Sequence, residues 1–230
     1  MIKEIKGNIF NSKCQTLVNT VNCVGVMGKG IALECKLRFP GMFEKYKEFC
    51  DTKKIRPGIL QLWKNSKPWV LNFPTKMHWK DPSKIEYLKS GLEKFKYEYQ
   101  DKEITSIAFP LLGASLGGLP EDLVKKTMIN YLGELKNIEI EIYEYDFNSN
   151  DDLFEKFRSK VLNFSIEDYK KNLGINSKAA DFLKKAIENK QVHSMLGIQD
   201  VPQIGSKALI NIHNFIRDEK SIVTQKTLDF

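Results

Sequence analysis

No stretch of this 230-residue chain approaches the roughly twenty consecutive apolar side chains that a membrane helix requires, which excludes a helix-spanning membrane protein. Met1 to Phe10 alternates apolar and charged residues and lacks the apolar core of a secretory signal, so the expectation is a cytoplasmic protein with no membrane partner. Cysteine is scarce and one-sided. Cys14, Cys23, Cys35 and Cys50 all fall in the first fifty residues, none in a CxxC pair, and only three histidines accompany them. That argues against a zinc site or disulfide framework, and reduced, partly buried thiols with no metal and no cofactor are expected. Charge of one sign is not concentrated anywhere. The net +7 is spread along the chain; it suits a polyanionic partner such as nucleic acid, but a lysine-rich solvated surface gives the same number.

What is present is alternation. Ile2 to Ile9, Thr16 to Val21, Ile59 to Trp63, Trp69 to Phe73, Ile104 to Phe109 and Ile138 to Tyr145 are short β-branched or aromatic runs that read as strands. Between them lie helical stripes: Ile85, Leu88, Leu92, Phe95 and Tyr99, starting near Asp81-Pro82-Ser83, and Leu123, Val124, Met128, Tyr131, Leu132 and Leu135, with Pro120 suited to the first helical position and Glu121 and Asp122 to the dipole. The fold class is therefore α/β, with a largely parallel or mixed sheet. Strand signals stop near Phe147-Asn148-Ser149-Asn150-Asp151-Asp152. The predicted organisation is an α/β domain over 1–148, a small helical domain over 149–220 and a tail over 221–230.

Two glycine-rich segments each link a strand to a helix. In the first, Thr16 to Ala32, Gly25, Gly28 and Gly30 allow close backbone approach. The following helix start can hold a phosphate through free N–H groups. Gly25-Val-Met-Gly-Lys-Gly has neither the spacing of a P-loop nor its hydroxyl, and GxGxxG is absent. A tight turn that binds nothing remains an equal alternative for this loop alone. The second segment, Phe109 to Pro120, offers another set of amides. Two such loops at the carboxyl ends of neighbouring strands would form a crevice for a diphosphate.

Taken together with these segments, the sequence resembles the macrodomain family. Among macrodomains it is similar to the DarG-type DNA ADP-ribosyl glycohydrolases, antitoxins that reverse DarT toxins. The matching stretches are Gly7-Asn-Ile, Leu17-Val-Asn-Thr-Val-Asn-Cys-Val-Gly-Val-Met-Gly-Lys-Gly-Ile-Ala32, Asn72-Phe-Pro-Thr-Lys-Met-His-Trp79 and Gly113-Ala-Ser-Leu-Gly-Gly-Leu119, and they cover about residues 1 to 146. The resemblance implies a three-layer α/β/α fold with a mixed central sheet and ADP-ribose in a surface cleft. It implies that Asn8, standing where many macrodomains have aspartate, and Ile9 meet the adenine. Asn22, Cys23, Val24, Met27, Gly28, Lys29, Gly30, Ile31 and Ala32 would surround the distal ribose. Gly113, Ala114, Ser115, Leu116, Gly117, Gly118 and Leu119 would cradle the diphosphate.

The resemblance also assigns the chemistry to Lys76, acting at the anomeric carbon of the distal ribose, with Thr75 and His78 supporting it. Two roles are open: a nucleophilic amine, which must first lose its proton, or a cation that stabilises the departing group. Without the Phe-Pro-Thr-Lys-Met-His-Trp context, Lys76 would be one solvated lysine among 36 basic residues. The second loop carries no acid, so no general base is assigned. The implied activity is release of ADP-ribose from a modified DNA base, single-stranded DNA being the substrate and free ADP-ribose the product. The alternatives are a non-catalytic ADP-ribose reader and a hydrolase of ADP-ribosylated protein.

Beyond residue 150, Ile175-Asn-Ser-Lys-Ala179 recurs as Ile204-Gly-Ser-Lys-Ala208, a shift of 29 residues. The surroundings of each copy resemble a helix-hairpin-helix, which presents backbone N–H groups to DNA phosphates. Each copy has one of the two expected hairpin glycines, Gly174 or Gly205. DNA contact would fall on Gly174, Ser177, Lys178, Gly205, Ser206 and Lys207, while a plain helical bundle or a toxin-binding region fits equally well. The last six residues, with Gln225, Leu228 and Phe230, resemble a sliding-clamp-binding peptide.

Overall fold

The computed structural model describes residues 2–225, with side chains for residues 2–217, and the chain divides into two compact units, Met1–Asp146 and Phe147–Phe230.

In the first unit the strands are β1 (Ile2–Gly7), β2 (Thr16–Val21), β3 (Gln61–Trp63), β4 (Trp69–Pro74), β5 (Ser106–Pro110) and β6 (Glu139–Tyr145). They form one sheet in the order β1-β6-β5-β2-β4-β3. Every neighbouring pair is parallel except β3 with β4. The helices are α1 (Gly30–Arg38), α2 (Pro40–Asp51), α3 (Ile85–Glu98) and α4 (Glu121–Leu132).

The period of two in the strands sorts their side chains between two cores. On one face Val18, Leu71, Phe73, Phe109, Ile140 and Ile142 pack with Leu88, Leu92 and Phe95 of α3 and Val124 and Met128 of α4. On the other, Leu17, Val21, Val70, Ala108 and Tyr143 pack with Cys35 of α1 and Met42 and Tyr46 of α2. This is the three-layer α/β/α arrangement with a mixed sheet. α3 starts at Ile85 rather than at Asp81-Pro82-Ser83, and its N-cap Lys84 makes no side-chain bond, because Ser83 is engaged under the second glycine loop. Pro120 is the N-cap of α4, one position earlier than expected, with Glu121 and Asp122 in the first turn.

A row of buried amides crosses the second face. Asn19 Nδ2 donates to Asn72 Oδ1 at 2.8 Å, and Asn72 Nδ2 donates to Gln61 Oε1 at 2.9 Å. These residues are direct cross-strand neighbours, since Asn19 pairs with Asn72 and Gln61 with Asn72. These bonds satisfy Asn72 on both sides and link three strands beneath the first glycine loop, while Asn19 Oδ1 accepts from no group among the described residues.

The second unit is built from α5 (Asp152–Val161), α6 (Ile166–Leu173), α7 (Ser177–Glu188) and α8 (Ser206–Gln225). Its buried apolar residues include Phe154, Phe157, Tyr169, Leu173, Leu183, Ile198 and Ile212. Buried Asp151 caps α5, accepting from Leu153 N–H at 2.8 Å, and reaches Met195 N–H at 3.1 Å. The sequence repeat has a backbone counterpart: Gly174 has φ 61°, and Gln203, 29 residues on, has φ 66°. Asn176 caps α7 by accepting from Ala179 N–H at 2.9 Å. Gly174, Ser177, Lys178, Gly205, Ser206 and Lys207 are all exposed. The tail expected from residue 221 is not extended at its start, because α8 continues to Gln225. Residues 206–225 contain neither glycine nor proline to stop the ladder of backbone bonds. Leu228 and Phe230 lie outside the described residues. Among the described residues no helix is long and apolar enough to cross a membrane.

Candidate active site

The chain leaves β2 toward α1, α2 and the β3–β4 edge, but leaves β5 toward β6 on the opposite side. The boundary between β2 and β5 is therefore a topological switch point, and the crevice beyond their carboxyl ends is where open α/β sheets take ligands. Three segments meet there: 22–29 after β2, 75–84 after β4 and 111–120 after β5.

The first segment is shaped by Asn22. Its Oδ1 accepts from the N–H groups of Val24 (3.0 Å) and Val26 (3.3 Å), and its Nδ2 donates to the Val26 carbonyl at 2.5 Å. Buried Tyr46 donates its hydroxyl to the Asn22 carbonyl at 2.8 Å. The Asn22 side chain is thus committed to folding the loop. Burial pushes the Tyr46 hydroxyl far up, so it stays a neutral donor. Met27 is buried, with its sulfur over the Asn19 amide, whereas Val24, Val26, Gly28 and Lys29 are exposed. Gly30, Ile31 and Ala32, half-buried, open α1, and Lys29 supplies no side-chain cap, so the first-turn N–H groups remain available at the positive end of the helix. The Cys23 thiol donates to the Lys76 carbonyl at 3.3 Å; burial, with a smaller contribution from Cys50, pushes it up to about 12. It is therefore no thiolate nucleophile at neutral pH.

The second glycine segment turns through Gly113 (φ 67°), Ser115 (φ 29°) and Gly118 (φ 78°). Its own carbonyls take up the N–H groups of Ala114, Gly117, Gly118 and Leu119. Those of Ser115 and Leu116 donate to no protein acceptor among the described residues, and both side chains are exposed. Ser83 lies beneath this segment. Its N–H donates to the Gly117 carbonyl at 2.8 Å, and its hydroxyl is so close that a Cβ on Gly117 would stand 2.5 Å from it. The two glycine loops also touch each other, since a Cβ on Gly30 would meet Leu116 Cδ1 at 3.0 Å.

Lys76 joins the segments. Thr75, buried, donates its N–H to the Val21 carbonyl at 2.9 Å, and Cys23 N–H donates to the Met77 carbonyl at 3.0 Å, so the segment after β4 is stitched to the end of β2. From there the Lys76 ammonium reaches across the mouth and donates to the Leu116 carbonyl at 2.7 Å. A neutral carbonyl, not a carboxylate, holds this cation. His78 Nδ1 accepts from Lys80 N–H at 3.3 Å, which fixes the following turn. Asn8 and Ile9 follow β1, on the same edge of the sheet and two strand spacings, roughly 10 Å, from β5. Asn8 caps a short turn by accepting from Phe10 N–H at 3.0 Å, and Ile9 is buried in the core beside α1.

The sequence therefore located Lys76 and both glycine loops, and the fold brings them together. It missed Ser83, Tyr46 and the Asn19–Asn72–Gln61 row. For Ser83 the only signal was its position next to a proline, which points to a helix start instead. Among the described residues no cluster of three or more His, Cys, Asp or Glu is placed to hold a metal ion.

Comparison with known proteins agrees with this geometry. The Macro domain family matches residues 18–128. A Thermus aquaticus protein named DNA ADP-ribosyl glycohydrolase is 38% identical over 148 residues, which is 63% of this chain and 41% of that protein. The solved macrodomain of Thermus aquaticus DarG superposes with a TM-score of 0.60 at 38% identity, covering 63% of this chain and 98% of that one. Thermosipho africanus DarTG, solved in complex with ADP-ribose, gives a TM-score of 0.59 at 34% identity, covering 67% of this chain and 44% of that one. The chain thus spans about two fifths of the length of the curated relative it matches.

Proposed function

The chain belongs to the macrodomain family, and on that footing we propose that it is a DNA ADP-ribosyl glycohydrolase, cutting the N-glycosidic bond between ADP-ribose and a DNA base. The observation that carries the proposal is the Lys76 ammonium, held 2.7 Å from the Leu116 carbonyl between two loops with unspent N–H groups. The diphosphate is bound by the first-turn amides of α1 and by Ser115 and Leu116 N–H, so its charge is met by backbone dipoles. The adenine end extends toward Asn8 and Ile9, and the distal ribose comes to the mouth where Lys76 stands.

In the reaction the Lys76 amine, having given its proton to solvent, attacks C1″. The N–C1″ bond forms and the bond from C1″ to the base breaks. The base takes the bonding electrons and a proton, and the sugar ring opens to an imine. Water then adds to C1″ and the amine leaves, which returns Lys76 and frees ADP-ribose with its hydroxyl at C1″. His78 and Thr75 hold the segment that carries the lysine.

The supporting reading of the second unit is that its two hairpins, with Lys178 and Lys207 exposed beside them, contact the DNA backbone without reading sequence. A DarT-like DNA ADP-ribosyl transferase is the matching partner, since a Thermosipho africanus relative is named as a fusion of transferase and glycohydrolase. The test is Lys76→Ala. The variant is expected still to bind ADP-ribose while release of ADP-ribose from modified single-stranded DNA falls to background on a gel. Full turnover by the variant refutes the role of Lys76. Binding without turnover by the wild-type chain makes it a reader instead, and faster release from modified protein than from DNA at equal concentration makes it a protein hydrolase.

A further inference from the structure

Trp79 is 49% exposed and belongs to neither apolar core of the first unit. A large aromatic residue left in water at a site rim needs a reason other than packing. The surrounding backbone holds it in place. Asp81 N–H donates to the His78 carbonyl at 3.1 Å and Lys80 N–H to His78 Nδ1 at 3.3 Å, so Trp79 and Lys80 occupy the two central positions of a β-turn and project outward. The Lys80 ammonium stands 5.1 Å from the Trp79 ring centroid, and the His78 ring 5.6 Å away at 30°. Lys76 is three residues upstream, within about 10 Å of chain. Residues 76–84 carry Lys76, Lys80 and Lys84 against the single acid Asp81, and Leu116, 65% exposed, continues the apolar rim on the facing loop.

An exposed indole flanked by cations beside a cleft fits a flat heteroaromatic ring carried on an anionic backbone. Stacking and charge act together on such a ligand. We propose that Trp79 is the stacking platform for an unpaired base neighbouring the modified nucleotide, and that Lys80 meets the phosphate between the two. This rests on the glycohydrolase reading and deepens it. A base inside a duplex is already stacked on both faces and cannot reach the ring without being unstacked, so the platform selects single-stranded DNA.

The test uses the full chain, with ADP-ribosylated oligonucleotides, single-stranded and duplex, and an ADP-ribosylated mononucleoside that has no neighbouring base. Trp79→Ala is expected to raise KM for the single-stranded oligonucleotide at least about fivefold, the low end of what losing one base–aromatic stack does. It should narrow the preference for single strand over duplex. It should leave free ADP-ribose binding and turnover of the mononucleoside unchanged, and Trp79→Phe should recover most of the loss. An unchanged KM in Trp79→Ala, or an equal loss on mononucleoside and oligonucleotide, overturns the proposal. If the wild-type chain releases nothing from any DNA, the activity reading fails on its own. The platform is then judged by binding of unmodified single-stranded oligonucleotide: weaker binding by Trp79→Ala supports it and equal binding overturns it.

Discussion

Replacing Gly117 by alanine isolates the contribution of Ser83 to the second glycine loop. Gly117 does not lie in the left-handed region, so alanine brings no backbone penalty, and the whole effect is steric. The new Cβ would stand 2.5 Å from Ser83 Oγ and 3.2 Å from Ser83 Cβ. Ordinary contact begins near 3.5 Å, so the loop must lift away from Ser83, by up to about 1 Å where the hydroxyl keeps its place. Lifting it moves the Leu116 carbonyl that holds Lys76, together with the amides of Ser115 and Leu116. A misplacement of that size costs a reacting pair about 100-fold. Gly117→Ala is therefore expected to lower kcat/KM for ADP-ribose release by about that factor and to weaken free ADP-ribose binding as measured by calorimetry, with little change in melting temperature. Adding Ser83→Gly removes both clashing atoms while keeping the Ser83 N–H bond, so the double variant should recover most of the activity. Wild-type turnover by Gly117→Ala, or no recovery in the double variant, refutes this account of the loop.

Two further outcomes follow from the same structure. Burial raises the pKa of Cys14, Cys23, Cys35 and Cys50 from the ordinary value of 9.0, that of Cys23 to about 12. The folded chain favours the protonated thiol, so this contribution to stability is complete below pH 9.0 and is lost as pH rises toward 12. In thiol titration at pH 8 the native protein should react slowly and the denatured protein promptly at all four, and fast stoichiometric labelling of the native chain contradicts this. Gln203 holds φ 66° where the first copy of the repeat has Gly174 at 61°. Gln203→Gly should stabilise the second unit by about 0.5–1 kcal/mol, seen as a higher urea midpoint, and a lower midpoint counts against a strained hairpin there.

Much of the fold was legible because it is decided locally. The apolar runs, the stripes of α3 and α4, and the two glycine segments between strand and helix are each set within about a dozen residues. The 29-residue repeat was legible in the same way, although the shared left-handed backbone at 174 and 203 was not. What was not legible depends on register. Asn19, Asn72 and Gln61 show no mutual relation along the chain and become one hydrogen-bonded row only when β2 pairs with β4 and β4 with β3. Asn22 is expected as a ligand contact, and its bonds to Val24, Val26 and Tyr46 give it in addition a folding task that no local pattern reveals. α8 runs to Gln225, past the expected start of the tail at 221, since clamp-like spacing in the last six residues says nothing about where the preceding helix stops.

By itself the sequence determined that two amide-rich turns exist, which helices follow them and which lysine stands after an apolar strand, because backbone freedom and periodicity are properties of short segments. Only the tertiary structure decided that these parts meet at one crevice. β2 sits between β4 and β5, so the segment after β4 must reach over the end of β2 to meet the loop after β5. Lys76 and Leu116, forty positions apart in the chain, are brought to hydrogen-bonding distance by the order of the strands.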